Sequence, residues 1–471
     1  MHDAGREGCR RDDGGRRDGR GSGVDLALIR RPTFRLAAGL VAAWLLAVAP
    51  SARAARGVAE LTYALDALIA LERPEGGWTY EQGKGVRPTP SSLPLRIAEE
   101  LAGPLGLATW DVVVLRSPGT PAVGLALLDG HRLTGDARYL DAARRAGDVV
   151  VAAQLRSGGW FSEAPMEDAV LAPWFALTVR RASLDDDVTP GAIRLLLALW
   201  QATGERRYWY TATRGAELLR AAQLDSGAWP LVWRPAWKRA VLATFEDRAT
   251  LNDGATSQAI VTMLAAGTVL ERADFTRAAR RGGDWLIGAR RPPPGAGWAQ
   301  QYDARDRPTH ARRFEPPALA SWESRYAIEA LHALVRATGD RRYCAPIADA
   351  VAWLRRSALS PGCWARFYDL ETNAPLYVAD DGERVATPAA AHQPYDWQGD
   401  FGIGALLRRL GAGTSAARTG AGPPIVGDPV RCRRPDRRPR DPLATADARL
   451  ILAHAGRLLA EIAETPADPC R

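Results

Sequence analysis

Apolar positions recur along this chain at helical rather than strand spacing. After Pro190, the residues Ile193, Leu196, Leu197 and Trp200 follow at three- and four-residue steps, marking one buried helix face. Thr203-Gly204-Glu205 then breaks the pattern, because glycine stops a helix and the polar residue after it can cap the next. Tyr208 opens a second apolar face that runs through Leu218 and Leu219 to Ser226-Gly227. The same turn returns as Thr134-Gly135-Asp136 and Thr338-Gly339-Asp340, followed by Tyr139 and Tyr343. One copy is degenerate, with Phe275 where tyrosine would stand. No segment alternates with period two for any length, so the pattern predicts repeated helical hairpins.

A Gly-rich turn closed by tryptophan ends each unit: SGGW at Trp160, SGAW at Trp229, GAGW at Trp298 and PGCW at Trp364, at steps of 69, 69 and 66 residues. An earlier copy, EGGW, ends at Trp78. A hairpin cannot bury its apolar face alone, so the copies must stack. The expected fold is all-α: an (α/α) toroid, or part of one, with long irregular loops at one end.

Four segments divide the 471 residues. Residues 1–54 combine an Arg-rich stretch, an apolar run from Leu36 to Ala49 and the small-x-small site Ala52-Arg53-Ala54, and read as an export signal too short for a membrane span. The toroid occupies 55–410, and a Gly/Pro/Arg-rich linker occupies 411–442. A C-terminal helix and tail fill 443–471, with Leu450, Leu452, Leu458, Leu459 and Ile462 on the helix.

The net charge of +8 does not point to nucleic acid. Residues 1–54 hold 10 arginines against 6 acids, and elsewhere basic and acidic residues alternate along helices. Beyond the leader four cysteines remain, an even count suited to disulfides outside the cytoplasm; nearest neighbours suggest Cys344–Cys363 and Cys432–Cys470. The expected product is a secreted or periplasmic protein, a monomer, with no membrane attachment after signal cleavage.

Candidate chemistry gathers in the loops. Ser183-Leu184-Asp185-Asp186-Asp187-Val188-Thr189 puts three carboxylates before a helix, more than a cap needs, and clustered carboxylate oxygens suit a hard cation such as Ca2+. Thr250-Leu251-Asn252-Asp253-Gly254 holds the matching place one unit later, and Asp185 and Asp253 read as corresponding positions 68 residues apart. Arg312 and Arg313 precede the rigid tract Phe314-Glu315-Pro316-Pro317. The run from Trp364 through Arg366, Phe367, Tyr368 and Asp369 joins aromatic rings to a guanidinium, which suits an anionic sugar and equally suits a packed loop. No histidine metal motif, GxSxG elbow, phosphate loop or dinucleotide fingerprint is present.

These motifs together resemble the pectate lyases of polysaccharide lyase family 10, the pectic acid lyase family. The resemblance rests on LDDDVT, TLND, WAQQYD, PTHARRFEPPALASWES and WARFYDLETNAP, in that order across about residues 183–382. It implies an (α/α) toroid that cleaves an anionic polysaccharide by calcium-assisted β-elimination. It implies Asp185 and Asp253 as active-site carboxylates on calcium, Arg312 as the base and Arg366 on a uronate carboxylate. Trp298, Gln301, Asp303 and Tyr368 fall in the same motifs as substrate-binding residues. The family's RDG arginine is absent, since Asp380-Asp381-Gly382 stands there. A non-catalytic carbohydrate-binding protein, or a hydrolase or epimerase on a similar toroid, stays open beside the lyase.

Overall fold

The computed structural model describes residues 52–74, 76–79, 112–165, 181–237, 244–293, 295–411, 448–462, 468 and 470. Most of the expected leader, the expected linker beyond residue 411 and Cys432 lie outside them. Apart from Ala52, the elements below belong to the compact unit Arg53–Arg471.

Four helical hairpins follow one another: α2 (Thr120–Thr134) with α3 (Ala137–Ala152), α4 (Val188–Thr203) with α5 (Arg206–Ala221), α6 (Ala255–Val269) with α7 (Ala273–Ala289), and α8 (Ser321–Thr338) with α9 (Cys344–Arg356). Among the described residues one helix, α1 (Ala52–Ala70), precedes them, and its first residues are the Ala52-Arg53-Ala54 read as a cleavage site. Among the described residues two more follow, α10 (Ile403–Arg409) and α11 (Ala448–Ile462). The first helices of the hairpins pack in a row, α2 on α4, α4 on α6 and α6 on α8, and the second helices lie outside them. The architecture is a helical toroid built from these hairpins. Inner helices α4 and α6 are apolar on nearly every side because neighbours cover both flanks, whereas α5 and α7 keep a charged outer face.

Each tryptophan latches one unit to the next. The Nε1–H of Trp160, Trp229 and Trp364 donates to the carbonyl ten residues earlier, at 2.7, 2.7 and 2.6 Å, and Trp78 does the same at 2.8 Å. Trp298 reaches the Leu286 carbonyl at 2.7 Å. The backbone N–H of the same residues donates forward to a hydroxyl in the next inner helix: Trp160 to Thr189, Trp229 to Thr256 and Trp298 to Ser324, at 3.0–3.2 Å. All five indoles are buried. The recurring tyrosines also stitch neighbours, Tyr139 to Asp66 at 3.0 Å and Tyr208 to Asp148 at 2.9 Å through their hydroxyls. In the degenerate copy Phe275 has no hydroxyl, and Arg272 reaches Glu217 at 3.5 Å instead.

The helix-stopping glycines Gly135, Gly204 and Gly339 are left-handed, with φ of 74°, 69° and 70°. At the matching place in the degenerate hairpin stands Glu271, also left-handed at φ 54°, where a Cβ costs about 1–2 kcal/mol. Glu271→Gly is therefore expected to raise stability by up to about 1 kcal/mol after glycine's entropic cost. A denaturation midpoint that is unchanged or lower would contradict this.

Among the described residues strand pairing occurs only where the loops meet. A four-stranded antiparallel sheet joins Leu319–Ala320, Phe367–Tyr368, Pro375–Val378 and Arg384–Val385 in that order, and Ala182–Ser183 pairs with Val232–Trp233. Ladders of two to four residues carry no readable alternation, so the sequence pattern hid them. The disulfide expectation is corrected. Cys344 pairs with Cys470, not Cys363, across 126 residues with Cα atoms 5.4 Å apart, and Cys363 is itself disulfide-bonded. Proximity along the chain misled because α9 begins beside the C-terminal tail. Among the described residues no helix is long and apolar enough to cross a membrane.

Candidate active site

The loops that enter α4 and α6 share one backbone form. Each is a single 3₁₀ turn, Asp185–Asp187 or Asn252–Gly254, preceded by a leucine whose N–H bonds to the neighbouring unit, Leu184 to Leu231 O at 2.8 Å and Leu251 to Gln300 O at 2.9 Å. Each ends two residues before the threonine that receives the tryptophan N–H, Thr189 or Thr256. Anchored at both ends, the turns superpose Asp186 on Asp253, which share left-handed φ values of 49° and 47°. This corrects the expected register by one residue: Asp185 corresponds to Asn252, and Asp253 to Asp186. A left-handed aspartate costs roughly 1–2 kcal/mol, so two at equivalent places mark where these turns are strained to aim a side chain.

Asp185, Asp186 and Asp253 meet there, with one carboxylate oxygen from each within 4.8 Å of the others. Burial, followed by the Asp253 charge, pushes the Asp185 carboxyl well above the usual range. The same causes, in the same order, bring Asp186 up to about 6. Asp253 is oriented by the Asn252 amide, which donates to its Oδ2 at 2.7 Å. Asp185 Oδ1 and Asn252 Oδ1 are buried and accept no hydrogen bond. Carboxylates crowded against one another, beside orphaned acceptor oxygens, form a donor set suited to a hard divalent cation. Asp187 stands apart, because Arg194 pairs with it and also donates to Thr262 Oγ1 at 2.8 Å.

A cationic side faces these acids. Arg312 Nη1 donates to Glu315 Oε1 at 2.9 Å, its backbone N–H donates to Oε2 at 3.0 Å, and the Tyr395 hydroxyl donates to Oε1 at 3.1 Å. Burial presses the Arg312 guanidinium down, but the charges of Glu315, Asp185 and Asp253 outweigh it and hold its pKa above the ordinary arginine value. Beneath lies Arg366, sandwiched between Trp322 and Tyr395 at 4.4 and 4.5 Å and bonded through Nη2 to Glu323 Oε1 at 3.1 Å. Burial raises Glu323 to about 7 against the pull of Arg366. Phe314, which follows Arg312-Arg313 in the chain, stacks on His392 with centroids 3.7 Å apart, and His392 pairs with Asp380. Arg384 does not replace the missing arginine, since it bonds Asp369 at 3.1 Å.

Several expected binding residues have other work. Trp298, Gln301 and Tyr368 are at most 1% exposed. Gln301 Nε2 donates to Phe245 O at 3.0 Å, Tyr368 receives the Ala365 N–H at 2.9 Å, and Trp298 is a latch. They shape the loops and present no surface to a sugar. Asp303 tightens a turn: its carboxylate takes the backbone N–H of Arg307 at 3.0 Å, the Arg307 side chain at 2.8 Å and the N–H of Arg305 at 2.8 Å, which lowers its pKa to about 2. Arg366 is only 4% exposed and grips Glu323, so its guanidinium presents almost no surface to a ligand. The sequence pattern grouped Asp186 with the other LDDD acids as a possible cation site without singling it out, and gave no role to Glu315, Glu323 or Tyr395. A cavity of about 800 Å³ lies along α6, α8 and α10, lined by Gln258, Tyr326, Glu329 and Arg409, but none of the clustered acids borders it.

Residues 166–362 match the model of the pectic acid lyase family. No curated protein matches the chain. Among solved structures, it is similar to the family 10 polysaccharide lyase from Cellvibrio cellulosa, at 20% identity and TM-score 0.48, over 62% of this chain and 97% of that one. A mutant of that lyase has been solved with trigalacturonic acid. The chain is also similar to a cellobiose 2-epimerase from Bacillus thermoamylovorans, at 12% identity and TM-score 0.47, over 66% of this chain and 75% of that one. The matched segment contains the acid cluster, Arg312 and Glu323, while Arg366 lies just beyond it. Over residues 166–362 the chain thus carries the sequence pattern of the pectic acid lyases, and its likeness to polysaccharide lyase family 10 rests there.

Proposed function

We propose that this chain is an exported lyase that cleaves a uronate polysaccharide of the pectate type by β-elimination. The observation that supports it most is the meeting of Asp185, Asp186 and Asp253, from loops of consecutive hairpins, with the Arg312 guanidinium in electrostatic reach. The resemblance to the pectic acid lyases supports the class of reaction, and the Cys344–Cys470 disulfide supports export to an oxidising compartment.

In this reading Asp185, Asp186 and Asp253 hold calcium. When bound, the cation neutralises the carboxylates that keep Arg312 charged and polarises the substrate carboxylate. Arg312 takes the C5 proton; the C–H electron pair becomes the C4–C5 double bond as the C4–O bond breaks, and the departing oxygen is protonated from solvent. An ordinary guanidinium has a pKa above about 12, and each unit of downward shift requires roughly 1.4 kcal/mol, so activity is expected to favour alkaline pH. Glu315 and Tyr395 fix the position of Arg312, and Arg366 adds positive potential from below. The test is ultraviolet detection of the unsaturated product from polygalacturonate with calcium at alkaline pH. Its absence there, and with alginate and glycosaminoglycans, would sink the lyase and favour the non-catalytic carbohydrate-binding protein.

Calcium must compete with protons at the raised carboxyls. The signs follow from Asp185, held high, and Asp186, near 6. In the metal-free protein the stability these acids contribute is present below the ordinary carboxylate pKa, about 4, and is lost as pH rises through the folded value. Calcium affinity runs the other way, rising with pH over the same window. The calcium-induced increase in Tm should therefore be several degrees at pH 8 and near zero at pH 4.5, as read by thermal unfolding with and without calcium. Equal increases at both pH values would contradict the site.

A further inference from the structure

Arg181 stands immediately before the short strand Ala182–Ser183, four residues ahead of Asp185. Its guanidinium lies over the Phe161 ring at 5.2 Å, a flat apolar platform that fixes the plane of the fork. Four arginines around the acid cluster have acidic partners: Arg312 has Glu315, Arg366 has Glu323, Arg194 has Asp187, and Arg234 has both Glu246 and Asp247. Arg181 has neither hydrogen bond nor ion pair among the described residues, and its Nε is buried with no acceptor. Burial, the largest influence, lowers its pKa, while the charges of Glu246 and Asp185 work against that, so it lies within electrostatic reach of the acid cluster. A half-buried fork of donors without an acceptor is costly to keep unless a ligand completes it.

We propose that Arg181 is a carboxylate-binding residue of this cleft, taking the carboxylate of a uronate unit adjacent to the one that reacts. The inference rests on the uronate-polymer reading above and adds a binding residue to it. Phe161 holds the guanidinium plane, and the free N–H edge offers bidentate geometry to a planar carboxylate.

The test uses the full chain with calcium. Trigalacturonate binding is measured by calorimetry, separately from initial rates on polygalacturonate. Arg181→Gln should weaken binding about ten- to hundredfold and raise KM comparably, with kcat and Tm close to wild type. Arg181→Lys should recover part of the loss, and Arg220→Gln, on the outer face, should change neither binding nor KM. A purely structural arginine predicts a lower Tm with unchanged binding, and that outcome overturns the proposal. Wild-type cleavage with an unaltered Arg181→Gln KM overturns this inference alone. Binding without cleavage overturns the lyase alone, and the variant's Kd still decides on Arg181. A wild type that neither binds nor cleaves overturns both.

Discussion

Arg312→Ala is expected to lower kcat on a uronate polymer by about 10²- to 10⁴-fold, the usual contribution of a positioned acid or base. Arg313→Ala is expected to leave it near wild type. The contrast is sharp because the two arginines are adjacent and equally charged, so a general electrostatic effect would move both. Arg312 is the one bonded to Glu315, which the Tyr395 hydroxyl also holds, and the one that the charges of Asp185 and Asp253 act upon. Alanine keeps the backbone N–H that donates to Glu315 Oε2 at 3.0 Å, so the stability loss should stay at about 1–2 kcal/mol. KM should change less than kcat, since the interaction that matters forms as the proton leaves C5. Equal losses in the two variants would remove Arg312 from the chemistry.

The second large effect is structural and reaches the same site. Trp229→Ala should destabilise the protein by about 3–5 kcal/mol, the range for truncating a fully buried aromatic side chain. Trp229 is 0% exposed, and truncation strands the Leu219 carbonyl that its indole now satisfies at 2.7 Å. Its backbone also holds Thr256, whose hydroxyl donates to Trp229 O at 3.1 Å and to Thr250 O at 2.7 Å, so the latch pins both ends of the turn that carries Asp253. Calcium affinity should fall with stability in this variant, although tryptophan touches no candidate ligand. Tyr210→Ala, at a site 60% exposed on the outer helix α5, should change neither by more than about 0.5 kcal/mol. Loss of stability with unchanged calcium affinity would show that the latch does not position the acid loop.

How much the sequence revealed depended on the length of each signal. Hairpins announce themselves over fifteen residues of periodic burial, and the Thr-Gly-Asp turns mark their joints, so α2 to α9 were legible. The register of the acid loops was not. LDDDVT and TLND align equally well by eye in two ways, and only the flanking anchors, Leu184 with Thr189 and Leu251 with Thr256, choose the one that superposes Asp186 on Asp253. Glu323 lies in the first turn of α8, and its partner Arg366 is 43 residues away across a two-residue ladder that leaves no pattern. Trp298 and Tyr368 were misread for a related reason: an aromatic in a loop motif serves the loop as readily as a ligand, and burial tells the two apart. The disulfide partner of Cys344 lies at the far end of the chain, beyond any local signal.

The most direct test is a crystal structure of the Arg312→Ala variant soaked with calcium and trigalacturonate. The account predicts a cation ligated by Asp185, Asp186 and Asp253, with a uronate ring whose C5 faces the space vacated by the guanidinium. A sugar seated elsewhere on the arc, or three aspartates that bind no calcium at alkaline pH, would contradict it.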